Sequence, residues 1–248
     1  MGFYIKDADE TARMRQSGAL VARTLDYIRD RVVPGVTLKQ LADACQEFIV
    51  RHDAKPAFLG YRGFPGAICT SVNEEVVHGI PSARKVQEGD LVKLDIGVLR
   101  DGMYADGART FVVGRIPQAW QKLVSATEHA LALGIEQARA GNRLAAVSCA
   151  IQRYVETQGF SVVRELSGHG VGIELHEEPA IPNFGKPGTG PKLVKGMTLA
   201  IEPMVNMGGF EVDTDRNGWT VIARDGLPSA HFEHTILVQD GPAEILTK

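Results

Sequence analysis

Cysteine is scarce in this sequence. Three cysteines occur among 248 residues, at Cys45, Cys69 and Cys149, and no two of them have a Cys-x-x-Cys spacing. Such a sparse, odd set argues against a disulfide framework or a structural zinc site and is typical of a reducing compartment. No segment approaches the roughly 20 apolar residues of a membrane-spanning helix. The early Asp7 and the lack of a long apolar run also argue against a secretory signal. We therefore expect a cytoplasmic protein.

An excess of charge of either sign is missing as well. Lys plus Arg number 27 against 30 for Asp plus Glu, which gives a net charge of -3. Such a balance gives no overall attraction to nucleic acid or anionic lipid, and we expect neither as a direct partner. The glycine-rich segment 181–191 lacks the Gly-Lys-Ser/Thr ending of a phosphate-binding loop. The segment 213–218 resembles half of a calcium loop, but Arg224 replaces its bidentate Glu, so we expect a hairpin turn there.

The chain does contain a repeated order of helices and strands. Apolar residues at steps of three and four predict a helix over about 9–33, and Thr37 with Gln40 has the capping-box pattern of a second helix. The same order returns 106 residues later, where Gly141 corresponds to Gly35. A chance likeness between two helix–helix–strand units is the alternative.

If the repeat is real, residues 1–248 form a single domain with two halves, roughly 9–113 and 118–238, related by a pseudo-twofold axis. Each half would be α+β, with its sheet in the inner layer and its helices outside. In this alignment Asp95 corresponds to Glu202. Each half therefore contributes a carboxylate to the joint between them.

A hairpin is predicted to bring two aspartates together. Two β-rich segments flank Asp101-Gly102, which is typical of a two-residue turn. Such a turn places Asp106 opposite Gly97. It also places Asp95 opposite Ala108, so that both carboxylates lie on one face and diagonally adjacent. Two like charges this close repel unless a positive group lies between them. Solvated acids on an exposed hairpin are the alternative.

Two glutamates and a histidine extend this acidic group. Glu202 follows an apolar strand, and Glu233 is predicted to lie within a strand over 230–238, where an unpaired acid is costly to bury. His169 lies between two glycines, in a segment that we expect to be a loop presenting its imidazole. Singly, each has an ordinary alternative, a salt-bridged structural acid or a solvated loop histidine.

Together these five residues fit a shared site better than five separate roles. Four carboxylates bring a charge of -4, which two divalent cations would balance, and His169 would add a neutral nitrogen ligand. Oxygen-rich ligation with one imidazole and no thiolate suits Mn, Fe or Co, with Zn also in range. A two-metal centre supplies a hydroxide near neutral pH and polarises a carbonyl or phosphoryl group. The sequence therefore predicts hydrolysis.

Several motifs give nearly the whole chain a resemblance to a known family. They are Asn73–Pro81 (NEEVVHGIP), the aspartate hairpin, Gly168-His169-Gly170 with the later His176, Gly196–Pro203 (GMTLAIEP) and Phe232–Thr235 (FEHT). On these, the chain resembles the methionine aminopeptidases of the bacterial type, within the creatinase/prolidase or pita-bread family of metallopeptidases. The resemblance implies a pita-bread fold, with two pseudo-twofold-related halves, an inner antiparallel β-sheet and outer helices.

The resemblance also implies roles for individual residues. Two divalent ions (Co, Mn, Fe or Zn) would be held by Asp95, Asp106, His169, Glu202 and Glu233. Glu202 would also carry the proton of the metal-bound water. His176 would bind the substrate carbonyl oxygen, and His78 would contact the scissile amide nitrogen. A loop histidine bonded to the backbone is the alternative for His78.

Further binding residues follow from the same resemblance. A monovalent cation would lie near Asn73 and Ser229. The substrate and its methionine side chain would contact Tyr61, Phe64, Cys69, His78, Leu175, His176 and Trp219.

The implied activity is protein maturation by removal of the initiator methionine from nascent polypeptides whose second residue is small. Metal-activated hydroxide would attack the first peptide carbonyl. We expect a monomer, and ribosome docking and the identity of the physiological metal stay open. The chain's own Met1-Gly2 start is expected to be a substrate. A prolidase or Pro-aminopeptidase of the same fold is one alternative. A non-enzymatic peptide-binding module is another, although all five ligand positions are filled here.

Overall fold

The computed structural model describes residues 3–248. Met1 and Gly2, the expected self-substrate, lie outside the described residues. Within 3–248 the chain forms the α-helices α1 (Ala8–Arg29), α2 (Leu38–Val50), α3 (Gln118–Gln137) and α4 (Ala145–Thr157), and a 3₁₀ turn over Tyr61–Gly63. None of these helices has the length and apolar character needed to cross a membrane.

The strands of the same residues are mostly short. In chain order they are β1 (Lys55–Pro56), β2 (Cys69–Val72), β3 (Glu75–Val77), β4 (Leu91–Arg100), β5 (Met103–Val112), β6 (Ser161–Val162), β7 (Ser167–Gly170), β8 (Glu177–Pro182), β9 (Thr198–Ile201), β10 (Met204–Asn206), β11 (Val212–Thr214), β12 (Val221–Ala223), β13 (Ser229–His231), β14 (His234–Leu237) and β15 (Glu244–Ile245).

Helix α1 begins with a capping box and ends earlier than its apolar periodicity suggests. The Asp7 side chain accepts a hydrogen bond from the Glu10 N–H at 2.8 Å, and the Glu10 carboxylate accepts from the Asp7 N–H at 2.9 Å. The prediction of a helix to residue 33 is wrong by four residues. The chain tightens into turn hydrogen bonds after Arg29, yet Val32 remains buried, so its burial extends the apolar pattern beyond the helix.

The start of α2 and the hairpin after β11 confirm two local predictions. The Thr37 side chain accepts from the Gln40 N–H and the Gln40 side chain accepts from the Thr37 N–H, which completes the predicted capping box. Strands β11 and β12 pair antiparallel across the segment 215–220, so the calcium-like sequence is a hairpin turn. Arg224 forms an ion pair there with Asp213.

Antiparallel sheets form the centre of the fold. Strand β4 pairs along one edge with β5 and along the other with β1 and β2. A five-stranded sheet has the order β15-β14-β9-β7-β8, and two three-stranded sheets have the orders β13-β10-β6 and β11-β12-β3. These ladders are antiparallel, and together with the helices they confirm the predicted α+β class.

Each helix pair covers a separate part of the core. Helices α1 and α2 pack with β4 around Leu25, Leu41 and Leu94, and Cys45 is buried among them as predicted. Helices α3 and α4 pack with β9 and β14 around a second cluster that includes Leu131 and Ile151. The same order of two helices and a following sheet therefore occurs twice, while the pseudo-twofold relation between the halves stays a prediction.

Leu25 offers a test of this core. Its side chain is 1 % exposed, so we expect Leu25→Ala to lower the free energy of unfolding by about 2–5 kcal/mol because a cavity replaces packed methyl groups. Leu227, 43 % exposed, is the control. Leu227→Ala should change the free energy of unfolding by less than about 0.5 kcal/mol. Urea denaturation measures both, and equal losses in the two variants would contradict the assigned packing.

Candidate metal centre

Strands β4 and β5 carry Asp95 and Asp106 in the predicted register. Asp95 pairs with Ala108, and Gly97 pairs with Asp106, so the two carboxylates lie on one face of the hairpin. Cys69 of β2 pairs with Asp95 on the other edge of β4. The hairpin prediction is confirmed.

Hydrogen bonds join β5 to the chain segment around Glu233. The Asp106 N–H donates to Thr235 Oγ1 at 3.0 Å, and Thr235 Oγ1 donates to the Asp106 carbonyl at 2.8 Å. The Glu233 N–H donates to the Ala108 carbonyl at 2.9 Å. These three bonds join two separate sheets, and they hold Asp106 and Glu233 beside each other.

The prediction that Glu233 lies within one continuous strand is wrong. The segment over 230–238 divides into β13, which pairs with β10, and β14, which pairs with β9. Phe232 and Glu233 lie at the point where the chain changes its partner. The backbone of Glu233 is therefore free to bind β5. The residue is 2 % exposed, and its side chain points into the protein.

The expected loop around His169 is also wrong, because the segment is strand β7, which lies between β9 and β8 in the five-stranded sheet. The flanking glycines are required by close approach of neighbouring strands. A Cβ at Gly168 would lie 2.3 Å from the Ala200 carbonyl oxygen, and one at Gly170 would lie 2.4 Å from that of Glu178. Both distances are too short for any side chain.

The main chain fixes which nitrogen of His169 faces the other candidate ligands. Nδ1 lies 2.9 Å from the Gly170 carbonyl, to which only an N–H can donate. Nε2 therefore keeps its lone pair, and it lies 3.8 Å from Asp106 Oδ2 and 3.6 Å from Glu202 Oε1. Glu202 directly follows β9, as predicted.

These groups form a donor set suited to divalent cations. One ligand atom each from Asp106, His169 and Glu233 lie within 4.8 Å of one another, and Asp95 and Glu202 line the same cavity. Carboxylate oxygens that are buried without a hydrogen-bond partner occur on three of the acids: Asp95 Oδ1, Asp106 Oδ1 and Glu233 Oε1. Unsatisfied buried carboxylates are costly, and a cation between them would remove that cost.

The electrostatics of the acids agree with this. Burial, followed by mutual repulsion, raises the pKa values of Asp95, Asp106 and Glu233 well above the ordinary range. Burial also raises the pKa of Glu202 to about 8 and lowers that of His169 to about 4. The four carboxylates repel one another and can all be ionised only beside compensating positive charge, which the neutral imidazole of His169 does not supply.

Two further histidines lie at the same cavity. His176 Nδ1 is 2.9 Å from the Tyr61 hydroxyl, and its ring centre is 4.2 Å from that of His169. His78 has a φ of 58°, in the left-handed region. The next residue, Gly79, is held to β2 by two hydrogen bonds: its carbonyl accepts from the Thr70 N–H, and its N–H donates to Ser71 Oγ. Burial lowers the pKa of His78 to about 4, and burial beside His169 lowers that of the partly exposed His176.

An apolar wall closes one side of the cavity. Phe64 and Trp219 meet edge to face with ring centres 5.2 Å apart, and Tyr61, Cys69 and His78 lie among the lining residues. Leu175, 1 % exposed, belongs to the same apolar cluster as Phe64 and Cys69, which line the cavity, and its contact with a methionine side chain stays a prediction.

Some residues around the site were missed by sequence reasoning. Phe58 and Arg62 line the cavity, and His231 Nε2 lies 3.5 Å from Glu202 Oε2. Lys93 Nζ donates hydrogen bonds to the carbonyls of Asn73 and Ser229. Alternation along β4 could have indicated that Lys93 shares the face of Asp95.

Burial shifts the pKa of Lys93 and His231 too. Burial lowers the pKa of Lys93 to about 7, opposed by the nearby carboxylates of Glu75, Glu74 and Asp90. Burial likewise lowers the pKa of His231 to about 4, against the attraction of Asp95. His231 is therefore a neutral imidazole beside Glu202.

Comparison with known proteins agrees with the geometry. A protein of Clostridium perfringens named methionine aminopeptidase is 47% identical over 243 residues, 98% of each chain. The crystal structures of methionine aminopeptidase from Thermotoga maritima and from Rickettsia prowazekii superpose with TM-scores of 0.98, at 47% and 43% identity, and each covers 100% of both chains.

Prolidases share the fold at a greater distance. The prolidase from Pyrococcus furiosus matches with a TM-score of 0.81 at 22% identity, and this chain covers 65% of it. The antiparallel sheets with outer helices are thus the predicted pita-bread fold. Residues 12–240 match metallopeptidase family M24, and the chain belongs to that family.

Proposed function

We propose that this metallopeptidase removes the N-terminal methionine from nascent polypeptides whose second residue is small. Relatives named methionine aminopeptidase, similar over the full length, support the proposal. The observation that carries it is a single cavity in which acids and histidines face an aromatic wall. Prolidases of the same fold are less similar in sequence and longer than this chain.

In this proposal two divalent ions are held by residues from both predicted halves of one domain. The ligands would be Asp95, Asp106, His169, Glu202 and Glu233. Mn, Fe, Co and Zn all suit this oxygen-rich set with one imidazole. When bound, such ions activate a water molecule and polarise the carbonyl that it attacks.

Glu202 would move the proton. As a carboxylate beside the bound ions, it could accept a proton from the activated water and return it to the leaving amine. His231, 3.5 Å away, would hold the orientation of the Glu202 carboxylate.

The two other histidines would act on the substrate as neutral hydrogen-bonding groups. If the Tyr61 hydroxyl donates to His176 Nδ1, Nε2 carries the proton and can donate to the carbonyl oxygen as negative charge develops. His78, held by Gly79 against β2, would contact the scissile amide nitrogen. Their lowered pKa values keep both rings neutral at physiological pH.

The aromatic wall would hold the methionine side chain. Tyr61, Phe64 and Trp219 offer ring faces and edges, and Cys69 offers sulfur, which suits a flexible thioether. Leu175, in the same apolar cluster, would add to this wall. Since one chain supplies all of these residues, we also propose that the protein acts as a monomer, in the cytoplasm, on chains made by the ribosome.

The test of the function compares two peptides. We expect the Mn²⁺- or Co²⁺-loaded protein to release methionine from Met-Gly-containing peptides and to leave Ala-Pro-containing peptides intact, measured by mass spectrometry. Preferential cleavage before proline would favour a prolidase instead. Binding of peptide without turnover would favour a non-enzymatic module.

Glu202→Gln tests the proton-transfer role. We expect kcat on a Met-Gly peptide to fall about 10²- to 10⁴-fold, because the amide cannot accept and return the proton. Glu156→Gln, at an exposed helical position, is the matched control and should retain activity. Circular dichroism checks folding of both variants. Unchanged cleavage by folded Glu202→Gln would remove this residue from the mechanism.

Metal removal gives a pH dependence of stability. Between pH 7.5 and 8.5 the metal-free folded state binds more protons than the unfolded state, because burial raises the pKa values of Asp95, Asp106, Glu202 and Glu233. Stability therefore falls as pH rises. Lys93, whose pKa is lowered, contributes with the opposite sign but is one group against four.

We expect the Tm of the EDTA-treated protein to decrease from pH 7.5 to 8.5 and expect excess Mn²⁺ to remove that decrease. Histidines contribute little in this window, because it lies about one pH unit or more above their ordinary pKa and they are neutral in both states. A Tm that rises over this window in the metal-free protein would contradict the assigned carboxylate cluster.

A further inference from the structure

Lys93 is a fully buried lysine beside the candidate metal centre. The residue is 2 % exposed and lies on β4, two positions before Asp95. Its Nζ donates to the Asn73 carbonyl at 2.6 Å, to the Ser229 carbonyl at 3.1 Å and to Ser229 Oγ at 3.5 Å. These are the residues near which the family resemblance implies a monovalent cation.

The acceptor set matches an ammonium group. An ammonium has three N–H donors and no acceptor, and three oxygens face Nζ. The Ser229 hydroxyl donates its own hydrogen to the Glu75 carbonyl at 3.3 Å, which leaves its lone pairs for Lys93. Carbonyl and hydroxyl oxygens are also ligands that Na⁺ or K⁺ would take. A separate ion on the same oxygens would collide with Nζ, which already lies within hydrogen-bond distance of all three. The residues present therefore do not fit an additional monovalent cation.

We propose that the Lys93 side chain replaces the bound monovalent cation, so that this protein needs neither Na⁺ nor K⁺ at that place. The replacement is covalently attached to β4, and its occupancy does not depend on the salt composition of the medium.

The position of the ammonium explains what it does for the fold. It joins the turn between β2 and β3, which contains Asn73 in a left-handed conformation with a φ of 55°, to β4 and β13. Strand β4 carries Asp95, and β13 leads to Glu233. Lys93 thus acts as a positioning residue for two elements that carry candidate ligands.

The experiment measures cation-selective stabilisation of the Mn²⁺-loaded protein. Tm is recorded in NaCl, KCl and choline chloride at equal ionic strength for the wild type, Lys93→Ser and Lys195→Ser. Lys195 is an exposed lysine that pairs with Asp240 and serves as the matched control. We expect the wild type and Lys195→Ser to have the same Tm in the three salts.

Lys93→Ser should behave differently, because it vacates the carbonyls of Asn73 and Ser229. We expect its Tm to be below that of the wild type in choline chloride and to rise by about 2–4 °C when Na⁺ or K⁺ replaces choline. Folding of this variant only in the presence of Na⁺ or K⁺ would support the proposal equally.

Two outcomes would overturn the proposal. One is selective stabilisation of the wild type by Na⁺ or K⁺, and the other is a folded Lys93→Ser with no response to either ion. If Lys93→Ser folds in none of the salts, wild-type crystals soaked in RbCl decide. We expect no Rb⁺ at the Asn73 and Ser229 carbonyls, and an ion bonded to them would contradict the replacement. These readouts do not use peptidase activity, so they stand apart from the proposed function.

Discussion

The structure depends on holding several acids together at the joint between two sheets. Strand β5 is bonded to the segment around Glu233 by the reciprocal Asp106–Thr235 pair and by the bond from the Glu233 N–H to the Ala108 carbonyl. Thr110 adds a second reciprocal pair with the backbone of His231. These hydrogen bonds between uncharged groups hold the carboxylates close together, although the carboxylates repel one another.

The same charge cluster connects stability with chemistry. Acids that are enclosed without enough hydrogen-bond donors favour either protonation or bound cations. The surrounding histidines add no positive charge, because burial keeps His78, His169 and His231 neutral. The site is therefore suited to cations. Bound cations would polarise a peptide carbonyl beside the aromatic wall, which is the physical basis of the proposed cleavage after a terminal methionine.

Local sequence signals predicted the features that neighbouring residues determine. The Asp101-Gly102 turn and the two-residue alternation of strands predicted the pairing of Asp95 with Ala108, and Thr37 with Gln40 predicted a helix start. The five candidate ligands came from residue types and their apolar surroundings. Their roles rest on the family resemblance and on the cavity that they share.

Features that depend on distant parts of the chain could not be predicted in this way. The sequence predicts a loop where strand β7 carries His169, because glycines that permit close strand approach look the same in sequence as glycines that permit turns. The break at Glu233 arises where one strand changes its partner. The contacts of Lys93 join three elements that are far apart in sequence.

The most direct test of the account is anomalous X-ray diffraction from crystals grown with Mn²⁺, recorded on both sides of the manganese absorption edge. The account predicts two manganese peaks enclosed by Asp95, Asp106, His169, Glu202 and Glu233. Manganese bound elsewhere, with these five side chains coordinating nothing, would contradict it.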